Sequence, residues 1–221
     1  MRVDDALEIA ERTEMLLTKE KIMRNADSEN WECRAGDHAE TDLKEVIMGL
    51  RWDPLERGKT TDERHVDVDA FCMLFDEQRR AVDFVHPGHV RNANGSVIHT
   101  GDSITGAGAW DDERIIAFLH ALPETVSALM FAVACASGRP FGEVSNASCH
   151  VTDHLTEQEL LRVDLTEFGQ ATAHCVATLS RTSAGWKIQP GAGNKLFAEA
   201  LAELLPKVGA KFVERGSSST G

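Results

Sequence analysis

Short apolar runs, separated by polar turn residues, follow one another along most of the chain from position 46 to position 189. The predicted strands are Val46–Trp52, Val66–Phe75, Ala81–Val85, Val97–His99, Arg114–Leu119, Ala128–Ala134, Ser145–Thr152, Leu160–Asp164, Thr172–Arg181 and Trp186–Gln189. Ala128–Ala134 is nearly all apolar, as expected of a strand that is buried on both faces. Short strands at regular spacing predict a mainly β protein, a two-sheet β-sandwich.

Helical periodicity is confined to the two ends of the chain. The N-terminal stripe comprises Ala6, Ile9, Ala10, Leu16 and Leu17, and the C-terminal stripe comprises Leu196, Phe197, Ala200, Leu201, Leu204 and Leu205. We predict a short N-terminal helix and a C-terminal helix that stops at Pro206. Residues 15–24 fit either a continued helix or a first strand. The chain is thus divided into a helical extension (1–14), a β-sandwich domain (15–208) and a flexible Ser/Gly tail (209–221).

Charge and cysteine usage narrow the functional classes. The 221 residues carry a formal net charge of −13, which repels nucleic acid and anionic membranes, although acidic residues kept for solubility would give the same charge. No apolar run approaches the roughly 20 residues that a membrane helix needs, and the start of the chain lacks signal-peptide features. The five cysteines are scattered and form no disulfide framework. We therefore expect a cytoplasmic protein without an integral membrane segment.

The segment Gly101–Glu113 holds three glycines and four carboxylates and has neither helical nor strand periodicity. Glycine permits tight turns, and crowded carboxylates repel one another unless a cation lies between them. A calcium site and an acidic, solvated turn are both consistent with this pattern. The loop is not an EF-hand, because Ile104 and Ala107 occupy positions that need an oxygen ligand and a glycine. Upstream, strand alternation places Asp67 and Asp69 on one strand face and Val66, Val68 and Ala70 on the other.

An ordered series of motifs resembles the TerD family of tellurium-resistance and stress-response proteins. The motifs are Gly49–Asp53, Asp67–Ala70, Gly95–Asp102, Gly106–Gly108, Asp111–Glu113, Phe141–Ala147 and Gly185–Lys187. The resemblance covers roughly Met15 to Val208 and includes Leu17–Ile22, which is similar to the family's opening strand. It implies a calcium-binding β-sandwich, cytoplasmic and bacterial, with no established enzymatic reaction and with other stress-response proteins as partners.

The same resemblance implies the ligand set. The candidate calcium ligands are Asp67, Asp69, Asp102, Gly106, Asp111, Asp112, Glu113 and Asn146. Several positions depart from the family pattern and remove oxygen ligands or charge. The departures are His86 and Pro87, Ser103, Ala109 and Trp110. Because ligand number and charge tune calcium affinity, we expect weaker binding than in typical relatives, or one site instead of two.

Three alternatives remain from the residues alone. The histidines with Cys149 and Cys175 could be interpreted as a zinc site, but adjacent Cys-His pairs on strands point to opposite faces. Carboxylates near His99 could support a metal-assisted hydrolase, although no nucleophile elbow, P-loop or dinucleotide motif is present. The third alternative is an interaction module of the same fold that binds no metal. We predict a non-enzymatic protein, in which the strand cysteines are buried structural thiols.

Overall fold

The computed structural model describes residues 43–54, 66–108 and 110–191, which form ten β-strands. The strands are β1 Glu45–Arg51, β2 Val68–Phe75, β3 Ala81–Val85, β4 Val97–His99, β5 Glu113–Phe118, β6 Ala128–Cys135, β7 Ser148–Asp153, β8 Glu159–Asp164, β9 Ala173–Thr182 and β10 Gly185–Pro190. Each strand coincides with a predicted run to within three residues. The predicted helices, residues 15–24 and the tail lie outside the described residues.

Two five-stranded sheets form a sandwich, as predicted. The first sheet has the order β4-β5-β1-β7-β8 and the second has the order β10-β9-β6-β2-β3. Every neighbouring pair is antiparallel. A continuous core of buried apolar side chains from both sheets includes Trp52, Phe131 and Phe141. Burial of this surface is the main force that holds the two sheets together.

Strand β2 is buried along its whole length. Val66, Val68 and Ala70 enter the core between the sheets, as the alternation predicted. The opposite face carries a second apolar cluster that includes Phe71 and Met73. Asp67 and Asp69 occupy that opposite face at the beginning of the strand, where they are also buried.

In the part of the chain that the structure describes, three short 3₁₀-helical turns lie between the strands, at Leu119–Ala121, Phe141–Glu143 and Leu165–Phe168. Such turns are too short to leave a periodic sequence signal. β7 begins at Ser148 rather than at the predicted Ser145, because the turn at Phe141–Glu143 is followed by the left-handed residue Asn146 before the backbone extends. Within the described residues, no helix is long and apolar enough to cross a membrane.

Candidate metal centre

Three carboxylates converge where β2 begins and β4 ends. Asp67 is the residue just before β2, and Asp69 is the second residue of that strand. Asp102 lies in the loop that follows β4. One ligand oxygen from each lies within 4.8 Å of the others. Asp67 and Asp69 are only 4% and 6% exposed, whereas Asp102 is open to solvent. We call these three residues the acidic cluster.

Glu113 connects the acidic cluster to the opposite sheet. It is the first residue of β5, and its side chain is fully buried. Its Oε2 accepts a hydrogen bond from the backbone N–H of Ala70 at 2.7 Å, and its Oε1 accepts one from the N–H of Ser103 at 3.2 Å. The pairing of β3 with β2 begins only at Cys72, so a side chain can reach the β2 backbone before that point. Glu113 therefore holds β2 and the loop in fixed positions relative to each other.

His99, the last residue of β4, completes this buried arrangement. Its Nδ1 accepts a hydrogen bond from the N–H of Gly101 at 3.2 Å, so in the neutral ring the proton resides on Nε2. Nε2 lies 3.2 Å from Oε2 of Glu113, to which it donates. Burial lowers the pKa of His99 to about 4, although the nearby Asp102 charge opposes that shift. The imidazole is consequently neutral at pH 7, and its hydrogen bond fixes the orientation of the Glu113 carboxyl group.

The electrostatics of this region favour an added positive charge. Burial raises the pKa of Glu113 well above its usual value, and the charges of Asp102 and Asp67 raise it further. The backbone N–H groups of Ala70 and Ser103 oppose this shift but do not reverse it. Carboxylates crowded in a medium of low dielectric repel strongly, and a bound cation relieves that repulsion.

The indole of Trp52 packs against the glycine-rich loop. This ring is completely buried, and its Nε1 donates to the carbonyl of Val66 at 3.0 Å, next to Asp67. Gly106 lies against this ring with a φ of +63°, and a Cβ at position 106 would come within 2.4 Å of the Trp52 Nε1. Only glycine fits this close approach in a left-handed conformation. Gly106 thus has a packing role in the loop, separate from its role as a candidate calcium ligand.

Asp112 fastens the far end of the loop to β1. Its Oδ1 accepts from the N–H of Gly108 at 2.9 Å, and its Oδ2 accepts from the N–H of Trp52 at 3.1 Å. Its own N–H donates to the carbonyl of Leu50 at 2.8 Å. Both carboxylate oxygens are therefore used to close the loop.

Asp111 and Asn146, two further candidate ligands, have partners outside the acidic cluster. Asp111 Oδ2 lies 3.1 Å from Nε of Arg114 and 3.8 Å from Nε2 of His150. Asn146 Nδ2 donates to Oδ2 of Asp53 at 2.5 Å. Of the eight candidate ligands, the structure gathers Asp67, Asp69 and Asp102, with Glu113 as their buried neighbour.

Sequence reasoning missed the positioning roles of His99 and Trp52. Both residues lie within the quoted family motifs, which was the available signal. The zinc interpretation finds no counterpart among the described residues, where the acidic cluster is the group of three metal-ligating side chains that come together. The four described cysteines, Cys72, Cys135, Cys149 and Cys175, are buried, as predicted.

The fold and the site define a class: an antiparallel two-sheet β-sandwich with a carboxylate cluster beside a glycine-rich loop. The family model described as TerD domain matches residues 37–207. The chain therefore belongs to the TerD family.

Curated relatives and a solved structure agree with this assignment. The chain is 36% identical over 149 residues to tellurium resistance protein TerZ of Serratia marcescens, covering 65% of this chain and 77% of that protein. It is 35% identical over 153 residues to general stress protein 16U of Bacillus subtilis, covering 66% and 78%. The crystal structure of SCO6318 from Streptomyces coelicolor A3(2), a homologue of telluride resistance protein (TerD), superposes with a TM-score of 0.60 at 25% identity, covering 71% and 95%.

Proposed function

We propose that the protein binds calcium through the acidic cluster. The observation that carries this proposal is the convergence of Asp67, Asp69 and Asp102, whose ligand oxygens lie within 4.8 Å of one another. Calcium takes oxygen ligands at about 2.3–2.6 Å, so two oxygens on opposite sides of the ion are about 5 Å apart. The three carboxylates can therefore contact one ion with little movement.

The chemistry of the donors favours calcium over other cations. All three donors are carboxylates, and neither histidine nor cysteine belongs to the group, which disfavours zinc. Magnesium requires near-ideal octahedral geometry at about 2.0–2.1 Å and usually retains several waters, so a group of three protein carboxylates is more typical of calcium. Bound calcium would supply two positive charges, and backbone carbonyls of the loop and water would complete the coordination.

One calcium site fits the geometry better than two. The carboxylate oxygens of Asp112 already accept backbone hydrogen bonds, and Asp111 is engaged by Arg114 and His150. A second ion would have to displace these partners. This arrangement supports the expectation that the protein binds calcium more weakly, or at fewer sites, than typical relatives.

We place this activity in a bacterial stress response, in the cytoplasm, with a non-enzymatic role. The names of the relatives, tellurium resistance protein and general stress protein, support the physiological setting. A calcium-ordered loop would present a fixed surface to partner proteins of that response. His99 and Glu113 are the acid–base pair beside the acidic cluster, and both side chains are closed to solvent. The hydrolase alternative is disfavoured because a general acid or base must reach the substrate.

Calorimetric titration of metal-stripped protein tests this proposal. We expect calcium to bind near one equivalent, more tightly than magnesium, and Asp69→Asn to weaken calcium binding at least tenfold because a buried anionic ligand is removed. Glu124→Gln, which neutralises an exposed carboxylate, is the matched control and should bind like the parent protein. Absence of calcium binding would leave the metal-free interaction module, and unchanged affinity in Asp69→Asn would exclude the acidic cluster as the site.

A further inference from the structure

A cavity of about 280 Å³ opens on the outer face of the first sheet, where β5, β1, β7 and β8 lie side by side. Its walls include three arginines, Arg51, Arg114 and Arg162, together with His150, Asp111 and Trp110. We call it the arginine pocket. A concentration of arginines is unexpected on a protein whose formal net charge is −13.

Strand register explains why these side chains meet. Gly49 in β1 is opposite Arg114 in β5 and also opposite His150 in β7. His150 is in turn opposite Arg162 in β8, so one row crosses four strands. Arg51 lies two residues along β1 from Gly49 and therefore projects from the same face.

Gly49 creates the space at the centre of this row. A Cβ at position 49 would lie 2.5 Å from Cε1 of His150 and 2.6 Å from Oδ2 of Asp111. Because the position has no side chain, the Asp111 carboxylate can lie over β1, 3.1 Å from Nε of Arg114 in β5 and 3.8 Å from Nε2 of His150 in β7. The pocket is thus built into the sheet, and does not depend on a chance meeting of flexible side chains.

Two of the three arginines, Arg114 and Arg162, are held by carboxylates that leave donor groups available. Asp111 contacts Arg114 through Nε, and both Nη groups of Arg114 have no hydrogen-bond partner among the described residues. Glu159 binds Arg162 through Nε and Nη2 and leaves Nη1. The guanidinium group of Arg51 makes no hydrogen bond or ion pair with any described residue. Three arginines against the two carboxylates that contact them, Asp111 and Glu159, give this group a formal net charge of +1.

We propose that the arginine pocket binds a phosphate group. Arginine presents planar, paired N–H donors that match phosphate oxygens, and several converging guanidinium groups are typical of phosphate recognition. The volume is close to the lower end of the range for small-molecule sites. Trp110 is 77% exposed at the rim and offers a ring face to a planar group attached to the phosphate. This inference does not depend on calcium binding.

Calorimetry in calcium-free, chelating-resin-treated buffer tests the proposal, because omission of calcium prevents precipitation of calcium phosphate. The probes are inorganic phosphate, ribose 5-phosphate and adenosine 5′-monophosphate. We expect saturable binding of at least one probe, weakened on the order of tenfold in Arg51→Gln and in Arg114→Gln, since each loses charge-assisted hydrogen bonds. Arg91→Gln, at an exposed arginine outside the pocket, is the matched control and should bind like the parent protein.

The probes also distinguish the source of the phosphate. Equal affinities for all three indicate a site for the free anion. Tighter binding of adenosine 5′-monophosphate, lost in Trp110→Ala while phosphate affinity is retained, indicates an ester with an aromatic group. Absence of binding of all three probes at millimolar concentration would overturn the proposal. So would binding that Arg51→Gln and Arg114→Gln leave unchanged, provided that both variants melt like the parent protein.

Discussion

Nε2 of His99 lies 3.2 Å from Oε2 of Glu113, and both side chains are completely shielded from solvent. This pair belongs to the first sheet, yet Glu113 accepts a hydrogen bond from the β2 backbone in the second sheet. The contact therefore joins the two sheets next to the acidic cluster. It explains how a glycine-rich loop can hold Asp102 near Asp67 and Asp69.

Replacement of Glu113 by glutamine should destabilise the protein. An amide NH₂ cannot accept the N–H of Ala70 or Ser103, so one of these donors, the first buried and the second half-buried, loses its partner at a cost of about 1–3 kcal/mol. Chemical denaturation of the metal-free protein measures this loss. Calcium affinity should fall as well, because β2 and the loop are no longer held together. Unchanged stability in Glu113→Gln would contradict the positioning role.

Gly106→Ala should destabilise the protein more than Gly95→Ala. Both glycines have positive φ, at +63° and +74°, so both substitutions carry the left-handed backbone cost of about 1 kcal/mol. At position 95 a Cβ has open space, whereas at position 106 it would meet the Trp52 indole. Denaturation midpoints of the two variants isolate the clash. Equal losses would show that the Trp52 contact has no energetic importance.

Asp111→Asn and Asp69→Asn should differ in their effect on calcium. Asp69 belongs to the acidic cluster, whereas the Asp111 carboxylate contacts Arg114 and His150 on the outer face of the first sheet. We expect Asp111→Asn to retain calcium affinity within about threefold, against a loss of at least tenfold for Asp69→Asn. Titration calorimetry compares the two directly. An equal loss of calcium affinity in both variants would show that Asp111 is also a calcium ligand.

His174 should make stability fall in mild acid. Burial lowers its pKa to about 4, and its ring stacks on Phe168 with centroids 3.8 Å apart. An unfolded histidine titrates near 6.5, so between pH 6.5 and pH 4 the unfolded state binds more protons and stability is lost as the pH falls. The full effect is about 3 kcal/mol.

The variant His174→Phe isolates this contribution, because it retains an aromatic stack without a titrating group. The difference in free energy of unfolding, variant minus parent, should increase as the pH falls from 6.5 to 4. Above pH 7 this difference should be constant. Urea denaturation across that range provides the comparison. Parallel pH profiles for the two proteins would show that His174 titrates equally in both states.

The buried thiols should be inert in the native protein. Burial raises the pKa of Cys175 to about 12 and raises the pKa values of Cys72, Cys135 and Cys149 above their usual value. The thiolate is the reactive form, so alkylation should require unfolding. Peptide mass spectrometry after N-ethylmaleimide treatment, with and without guanidinium chloride, reports each site. Labelling of these four cysteines without denaturant would contradict their burial.

The strands could be predicted because their patterns are local. Alternation from Val66 to Ala70 correctly separated a core face from an acidic face, and Ala81–Val85 was predicted to the residue. The start of β7 could not be predicted, because it depends on the left-handed conformation of Asn146 and on the preceding 3₁₀ turn. Neither feature has a periodic signature in the sequence.

The site was predictable only in part, and Asp111–Glu113 shows why. These consecutive carboxylates serve three different purposes: one faces Arg114, one closes the loop, and one is buried against β2. Sequence composition shows that charge accumulates there, but the direction of each side chain depends on the pairing of β5 with β1. The space at Gly49 that receives Asp111 is likewise a property of the assembled sheet.

Anomalous X-ray scattering from crystals grown with calcium tests the central claim most directly. The account predicts one calcium peak in contact with carboxylate oxygens of Asp67, Asp69 and Asp102, with the Asp111 carboxylate remaining on Arg114. A peak located at Asp111 and Asp112 instead, or an acidic cluster without any peak at saturating calcium, would contradict it.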